Sequence, residues 1–358
     1  MNISASLRRR VVVALALGCT AGAALSGCAT AAKTTTSASS AATSAAAGGS
    51  LAPSVYCGSD CKSQLTLKAD PASIDCSVGV SWSSASFPYG AKSTQQIPEF
   101  AAQFFPKMKV TVSDGRGDAT TQANQVDDMI AKKIKVLILS PQDAAALAGV
   151  AKKAMAAGIK VIAADRQVDA DVSTYIGSDN TEAGVADGKA VVKMLGGKGN
   201  VVELAGSLGA SPTIARGKGF RTGIEGSDIK ILATQTANYD RAQGLKVMED
   251  LLQKYGSGQI QGVYAHNDQM AFGAAQAIKE ADRAGEIKVF SIDGEVDALK
   301  DVKNGTFATT VGYPLVVKES TIAAAKLCAG ETVDPRIKLD STLIDASNVD
   351  TYLPNPPQ

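Results

Sequence analysis

From about residue 74 onward, short apolar runs alternate with stretches where apolar residues recur every three or four positions. Val78-Gly79-Val80, Val110-Thr111-Val112, Val136-Leu137-Ile138-Leu139 and Val161-Ile162-Ala163-Ala164 are β-branched or wholly apolar. Runs of this kind predict strands buried on both faces of a parallel sheet. Between them, Val126, Met129 and Ile130 share one helical face, followed by Leu147, Val150, Ala151 and Ala154. The alternation then repeats. Strands are predicted at Val201–Leu204, Ile229–Ala233, Val263–Ala265 and Val289–Ile292. The clearest helix of this second series carries Leu245, Met248, Leu252 and Tyr255. Two successive β-α series predict an α/β protein of two lobes, each a doubly wound parallel sheet.

In such sheets ligand groups gather beyond the carboxyl ends of the strands. Polar residues follow several of them here. The strand over 161–164 ends in Asp165-Arg166, that over 263–265 in His266-Asn267-Asp268, and that over 289–292 in Asp293-Gly294. The strand after Thr174 ends in Gly177-Ser178-Asp179-Asn180. Asp179 and Asp268 read as N-caps of the next helices. Arg166 fits that role poorly, because a helix N-terminus favours anions. A carboxylate next to a guanidinium suits a polyhydroxyl ligand: the first accepts from two hydroxyls, the second donates to two. His266, the only histidine of the chain, reads as a structural residue with its hydrogen bonds satisfied.

The first 73 residues lack this alternation. Arg8-Arg9-Arg10 followed by the apolar run from Val11 reads as an export signal over 1–27. It ends in Leu25-Ser26-Gly27-Cys28, which resembles a bacterial lipobox and makes Cys28 the expected lipidation site. Residues 29–50 are almost entirely Ala, Thr, Ser and Gly, with Lys33 their one charge. Such a stretch cannot bury a core and is expected to act as a tether. A Cys-containing extension over 51–73 then leads into the body.

Charge and cysteine usage sharpen this picture. The precursor carries +1, and loss of residues 1–27, with three Arg and no acid, leaves −2. Neither value suggests nucleic acid as a partner. A single histidine disfavours His-based triads and multi-His metal sites. Beyond Cys19 and Cys28, four cysteines remain: Cys57, Cys61, Cys76 and Cys328. In an exported chain they suggest two disulfides, with three pairings possible. The favoured pairing is a local Cys57–Cys61 bond plus a Cys76–Cys328 bond from the first strand to a late helix. Half a zinc site at Cys57-x-x-x-Cys61 is the competing reading.

Six motifs then stand in register: Ile162-Ala-Ala-Asp-Arg-Gln167, Tyr175-Ile-Gly-Ser-Asp-Asn180, Ala215-Arg-Gly-Lys-Gly-Phe220, Asn238-Tyr-Asp-Arg241, Ala265-His-Asn-Asp-Gln-Met-Ala271 and Phe290-Ser-Ile-Asp-Gly294. Their order and spacing resemble the ribose-binding-protein family of type I periplasmic binding proteins, over about residues 74–345. The resemblance implies two Rossmann-like lobes joined by a three-strand hinge, with lobes at 74–178 plus 314–341 and at 179–313 plus 342–358. It implies sugar contacts at Phe87 in the Ser84–Tyr89 loop, Asp165, Arg166, Arg216, Tyr239, Asn267 and Asp293. Tyr313 stands where the family carries a Gln, and Ala85-Ser86-Phe87-Pro88 replaces an Asn-Pro-Phe-Phe. These departures point to a ligand other than ribose. Trp82 and Tyr89 could each add stacking surface but read mainly as packing, with Tyr89 kept as a further candidate for the site.

The resemblance also implies a monomeric, non-enzymatic lipoprotein on the outer face of the membrane. It would need no cofactor and no metal. Its partners would be a monosaccharide or polyol, the permease subunits of an ABC importer and, through its lipid, the membrane. No P-loop, H-E-x-x-H or G-x-S-x-G occurs, and Gly196-Gly197-Lys198-Gly199 precedes a strand rather than following one. Two other readings share these motifs: a signalling receptor for a sugar-like autoinducer, and an extracellular carbohydrate-active enzyme using paired carboxylates.

Overall fold

The structure is a computed structural model that describes residues 50–358. The expected export signal, the lipidation position Cys28 and nearly all of the tether lie outside the described residues.

Two six-stranded sheets form the body. The first contains β1 (Cys76–Trp82), β2 (Met108–Asp114), β3 (Val136–Ser140), β4 (Lys160–Ala164) and β5 (Thr174–Gly177). The second contains β6 (Lys198–Ala205), β7 (Asp228–Thr236), β8 (Gly262–Ala265), β9 (Lys288–Asp293) and β10 (Thr309–Gly312). Each predicted strand falls inside one of these. Two late strands complete the sheets: β11 (Arg336–Lys338) joins β5, and β12 (Thr342–Ile344) joins β10. The strand orders are β2-β1-β3-β4-β5-β11 and β7-β6-β8-β9-β10-β12. Strand order reverses at β1 and at β6, the doubly wound arrangement. All pairs are parallel except β10–β12, an antiparallel edge that periodicity did not reveal.

The chain crosses between the sheets three times: after β5, after β10 and after β11. After the second crossing, the helix Val317–Cys328 packs on β1, β3 and β4 of the first sheet. Short apolar strands are covered on both faces, so Val80, Val136, Ile138, Val263 and Phe290 lose all contact with water. One helix departs from its expected face. Over Arg241–Lys254 the buried positions are Gly244, Met248 and Leu251, with Leu252 only partly covered. That helix lies against the neighbouring helix Asp268–Glu280, which draws the 244-248-251 stripe inward.

The extension is not a zinc half-site. Cys57 and Cys61 are disulfide-bonded, with Cα atoms 5.2 Å apart, and Cys76–Cys328 is the second bond, at 5.9 Å. The extension runs as a strap along the helix Val317–Cys328. Glu319 Oε1 accepts from the Ser54 amide (2.7 Å), and Glu331 Oε1 accepts from the Lys68 and Ala69 amides (3.0 and 2.9 Å). Lys326 donates to the Thr66 carbonyl. Tyr56 O accepts from the Asp340 amide, in the third crossing, at 2.8 Å, and Tyr56 OH donates to the Asn355 carbonyl. Its own Cys57, Cys61 and Leu65 are buried.

Candidate functional site

A cavity of about 30 Å³ lies between the carboxyl ends of the two sheets. Phe87, Tyr89, Asp165, Arg166, Arg216, Tyr239, Asn267, Asp293 and Tyr313 line it, together with Pro212, which no sequence signal singled out. Trp82 does not reach it; fully buried, it stacks behind Tyr89 with ring centres 6.3 Å apart.

On the first sheet, Asp165 ends β4 with φ 65°. No helix follows it, so the Asp-Arg pair caps nothing. The chain turns into β5 instead, and the Asp165 amide donates to Ile176 O at 2.8 Å. Tyr175 OH donates to the Asp165 carbonyl at 3.0 Å. Arg166 Nε stands 3.8 Å from Asp165 Oδ2. Its guanidinium lies 5.8 Å from the Phe87 ring centre and 5.5 Å from that of Tyr239, within cation–π reach of both. Phe87 precedes the helix Pro88–Phe104 in a loop shaped by its own serines. Ser84 Oγ accepts from the Ser86 amide (3.1 Å), and Asp114 Oδ1 accepts from the Ala85 amide (3.0 Å). Tyr89 OH donates to Pro314 O at 3.1 Å.

On the second sheet, Arg216 sits on the helix Ser211–Gly223 and is 3% exposed, so it is no surface ion pair. The helix is pressed close to Asn180–Met194: a Cβ on Gly219 would meet Thr181 O at 2.2 Å. The Gly of the Arg-Gly-Lys-Gly-Phe motif thus sets the depth of Arg216. Its Nε donates to Asn180 Oδ1 (2.9 Å), and its Nη1 donates to His266 O and lies 3.7 Å from Asp293 Oδ1. Tyr239 has φ 61°, and its hydroxyl pairs with Thr213 Oγ1 at 2.7 Å. Asp293 has φ 145°. Three cavity residues therefore hold backbone conformations that cost about 1–3 kcal/mol each. Strain of this kind persists where the surrounding structure over-determines it.

Two capping expectations separate here. Asp179 caps its helix, accepting from the Thr181 and Glu182 amides at 2.9 and 3.2 Å. Asp268 does not cap. Asn267 takes that role, with Oδ1 accepting from the Met270 amide at 3.0 Å. Asp268 is instead fully buried, accepting from Ser291 Oγ (2.5 Å), Thr310 Oγ1 (2.8 Å) and the Glu295 amide (2.8 Å). It ties β9, β10 and the next helix together behind the cavity. His266 is buried with Nε2 2.9 Å from Glu203 Oε1, while its Nδ1 accepts from the Gly206 amide. That pattern puts the ring proton on Nε2. Burial lowers its basicity against the pull of Glu203, which keeps the imidazole neutral.

The carboxyls of Asp165 and Asp293 are both shifted upward by burial. Arg166 and Arg216 oppose the shift at Asp165, and Arg216 opposes it at Asp293. The rings of Phe87 and Tyr239 face one another at 6.4 Å, tilted by 44°. A sugar ring between two aromatic faces needs a contact of about 3.5–4 Å on each side, so the rings must part by roughly 1 Å to admit one. Rings that cover C–H faces, with carboxylates and guanidinium groups at the edge, form a site for polyhydroxyl compounds. Among the described residues, no cluster of three or more His, Cys, Asp or Glu side chains could hold a metal ion. Asn180, the last residue of the Tyr175–Asn180 motif, touches both Arg216 and Tyr313.

Comparison with known proteins agrees with this fold. Residues 78–331 match the family model described as periplasmic binding protein domain. The ribose import binding protein RbsB of Bacillus subtilis (strain 168) is 36% identical over 233 residues, 64% of this chain and 75% of that protein. A xylitol-binding protein of Mycolicibacterium smegmatis is 38% identical over 245 residues, 67% of this chain and 70% of that protein. Among solved structures, an ABC transporter solute-binding protein from Bacillus halodurans C-125 with bound myo-inositol superposes with a TM-score of 0.73. It is 27% identical, and the match covers 78% of this chain and 98% of that one. The chain belongs to the periplasmic binding protein family.

Proposed function

We propose that the chain is an extracytoplasmic receptor that captures a monosaccharide or polyol and delivers it to the membrane subunits of an ABC importer. One observation carries this reading. A single cleft collects Asp165, Arg166 and Phe87 from the first lobe and Arg216, Tyr239, Asn267 and Asp293 from the second. A ligand touching both sets stabilises the closed arrangement of the lobes over the open one. The relatives that bind ribose, xylitol and myo-inositol support the ligand class.

In this mechanism, Asp165 and Asp293 accept ligand hydroxyls, and Arg166, Arg216 and Asn267 donate to ligand oxygens. Phe87 and Tyr239 cover the two C–H faces, with Tyr89 and Tyr313 forming the floor. The ligand leaves chemically unchanged. The protein works as a monomer, held to the outer membrane face through acylated Cys28 and the tether that follows.

Calorimetry against a panel of pentoses, hexoses and linear polyols tests the reading. At least one member should bind, Arg166→Ala should weaken it by 100-fold or so, and the recovered ligand should be intact. A panel with no binder, or a chemically altered ligand, overturns the proposal. Cys28→Ala should release the protein from membranes of the expressing cell.

A further inference from the structure

Tyr313 follows β10 and Asn180 opens the helix after β5, so both stand where the chain crosses between the sheets. Both are buried, at 1% and 7% exposure. Arg216 Nε lies 2.9 Å from Asn180 Oδ1. A guanidinium only donates, so the atom facing it must be the amide oxygen. The amide nitrogen therefore points the other way, to Tyr313 OH at 3.1 Å. The phenol oxygen accepts there, which leaves its one proton for Asp165 Oδ1 at 2.9 Å. A carboxylate has no proton to offer in return. The relay Arg216–Asn180–Tyr313–Asp165 thus joins the two lobes through the hinge, with its polarity fixed at every link.

We propose that this relay is a specificity determinant. Asn180 aligns the Arg216 guanidinium, and Tyr313 engages Oδ1 of Asp165, so that a ligand hydroxyl is accepted at Oδ2 in preference to an adjacent pair spread over both oxygens. The free oxygen, Oδ2, is the one beside Arg166. The favoured ligands are sugars or polyols anchored there by a single hydroxyl, with deoxygenation tolerated at the neighbouring carbon. The Tyr313 hydroxyl then acts on the ligand through Asp165, while its ring lines the cavity, and Asn180 is a positioning residue for Arg216. This inference rests on the sugar-binding reading above.

The test begins with the best binder of the calorimetric panel; if wild-type protein binds none, the functional reading fails before this one is reached. Each monodeoxy analogue of that binder is then titrated into wild type, Tyr313→Phe and Asn180→Ala. Tyr313→Phe frees Asp165 Oδ1 while keeping the ring 4.6 Å from the Arg216 guanidinium carbon. One analogue that wild type tolerates within about threefold should lose about 10- to 100-fold in Tyr313→Phe, the size expected for one charge-assisted hydrogen bond. Asn180→Ala should weaken all ligands about tenfold by releasing Arg216, with no new penalty on that analogue, because the Tyr313 hydroxyl still donates to Asp165. Deoxy-analogue ratios that stay within threefold of wild type in Tyr313→Phe overturn the proposal. A thermal melt checks that each variant folds. If Tyr313→Phe does not, Tyr313→Met, which also lacks the hydroxyl that donates to Asp165, carries the comparison.

Discussion

Arg216 and Asp293 face each other across 3.7 Å, one from a helix and the other from a strand end, with neither side chain more than a tenth exposed. Two charges taken from water in this way are stable only while each keeps its partners. Arg216→Met would leave Asn180 Oδ1, the His266 carbonyl and Asp293 without their donor. It should lower unfolding free energy by about 3–5 kcal/mol. Asp293→Asn removes a carboxyl that burial already pushes toward its neutral form, and should cost less stability while weakening ligand about 10- to 100-fold. Urea unfolding and calorimetry on both variants check the order; equal stability losses would contradict it.

Stability should depend on pH through two buried acids of opposite sign. Burial, with Glu295 nearby, pushes Asp268 up from 3.8 to about 7. The folded state then holds its proton more tightly than the unfolded state. Its stabilising contribution is complete below pH 3.8 and is lost as pH rises through 7. For Glu203, burial acts upward, but hydrogen bonds from His266 and Arg221 outweigh it and bring the group from 4.5 down to about 2. Its contribution is complete above 4.5 and is lost as pH falls through 2. Urea midpoints measured across this range should show Asp268→Asn without the decline on the neutral side. Glu203→Gln should lack the decline on the acid side.

The two disulfides should differ in weight. Cys76–Cys328 closes a separation of 252 residues, whereas Cys57–Cys61 closes 4. Chain-entropy arithmetic gives about 5.5 kcal/mol for the first and about 2 for the second. Cys328→Ser should therefore lower the melting temperature well beyond Cys61→Ser. A scanning calorimetry trace with the reverse order would show that the strap matters more than the long loop.

Closure also uses the rim of the cleft. The Ala144 amide donates to Gly209 O at 3.1 Å, and the Gln167 amide donates to Ser211 Oγ at 2.8 Å, so backbone from one lobe meets the other. Gly209 has φ 79°, and a Cβ there would meet Asp143 Oδ2 at 1.7 Å. Gly209→Val should speed ligand release at least tenfold, an effect of about 1.4 kcal/mol. Adding Asp143→Ala should recover part of it. Stopped-flow release on the two single variants and the double variant measures that coupling.

Strand periodicity made Asp165, Arg166, Asn267 and Asp293 legible, because it marks where each strand stops and the doubly wound winding brings those ends together. Phe87 and Tyr239 were legible only through motif resemblance; an aromatic ring carries no periodic sign that it lines a cleft. Asp268 was misread because Asn-Asp offers two good caps in a row, and only packing against Ser291 and Thr310 decides between them. Asn180 looked like the residue after a cap. Its contacts with Arg216 and Tyr313 depend on how the hinge crossings pass one another, which no local pattern encodes. The strap was unreadable for the same reason: Ser54 finds its partner 265 residues away.

That strap has a mechanical consequence. Ser54 and Tyr56 are fastened to Glu319, to Asp340 in the third crossing and to Asn355, so the chain enters the folded body at the pivot. A pull applied upstream of Ser54 is therefore taken up beside the crossings between the lobes and not at the outer end of either one.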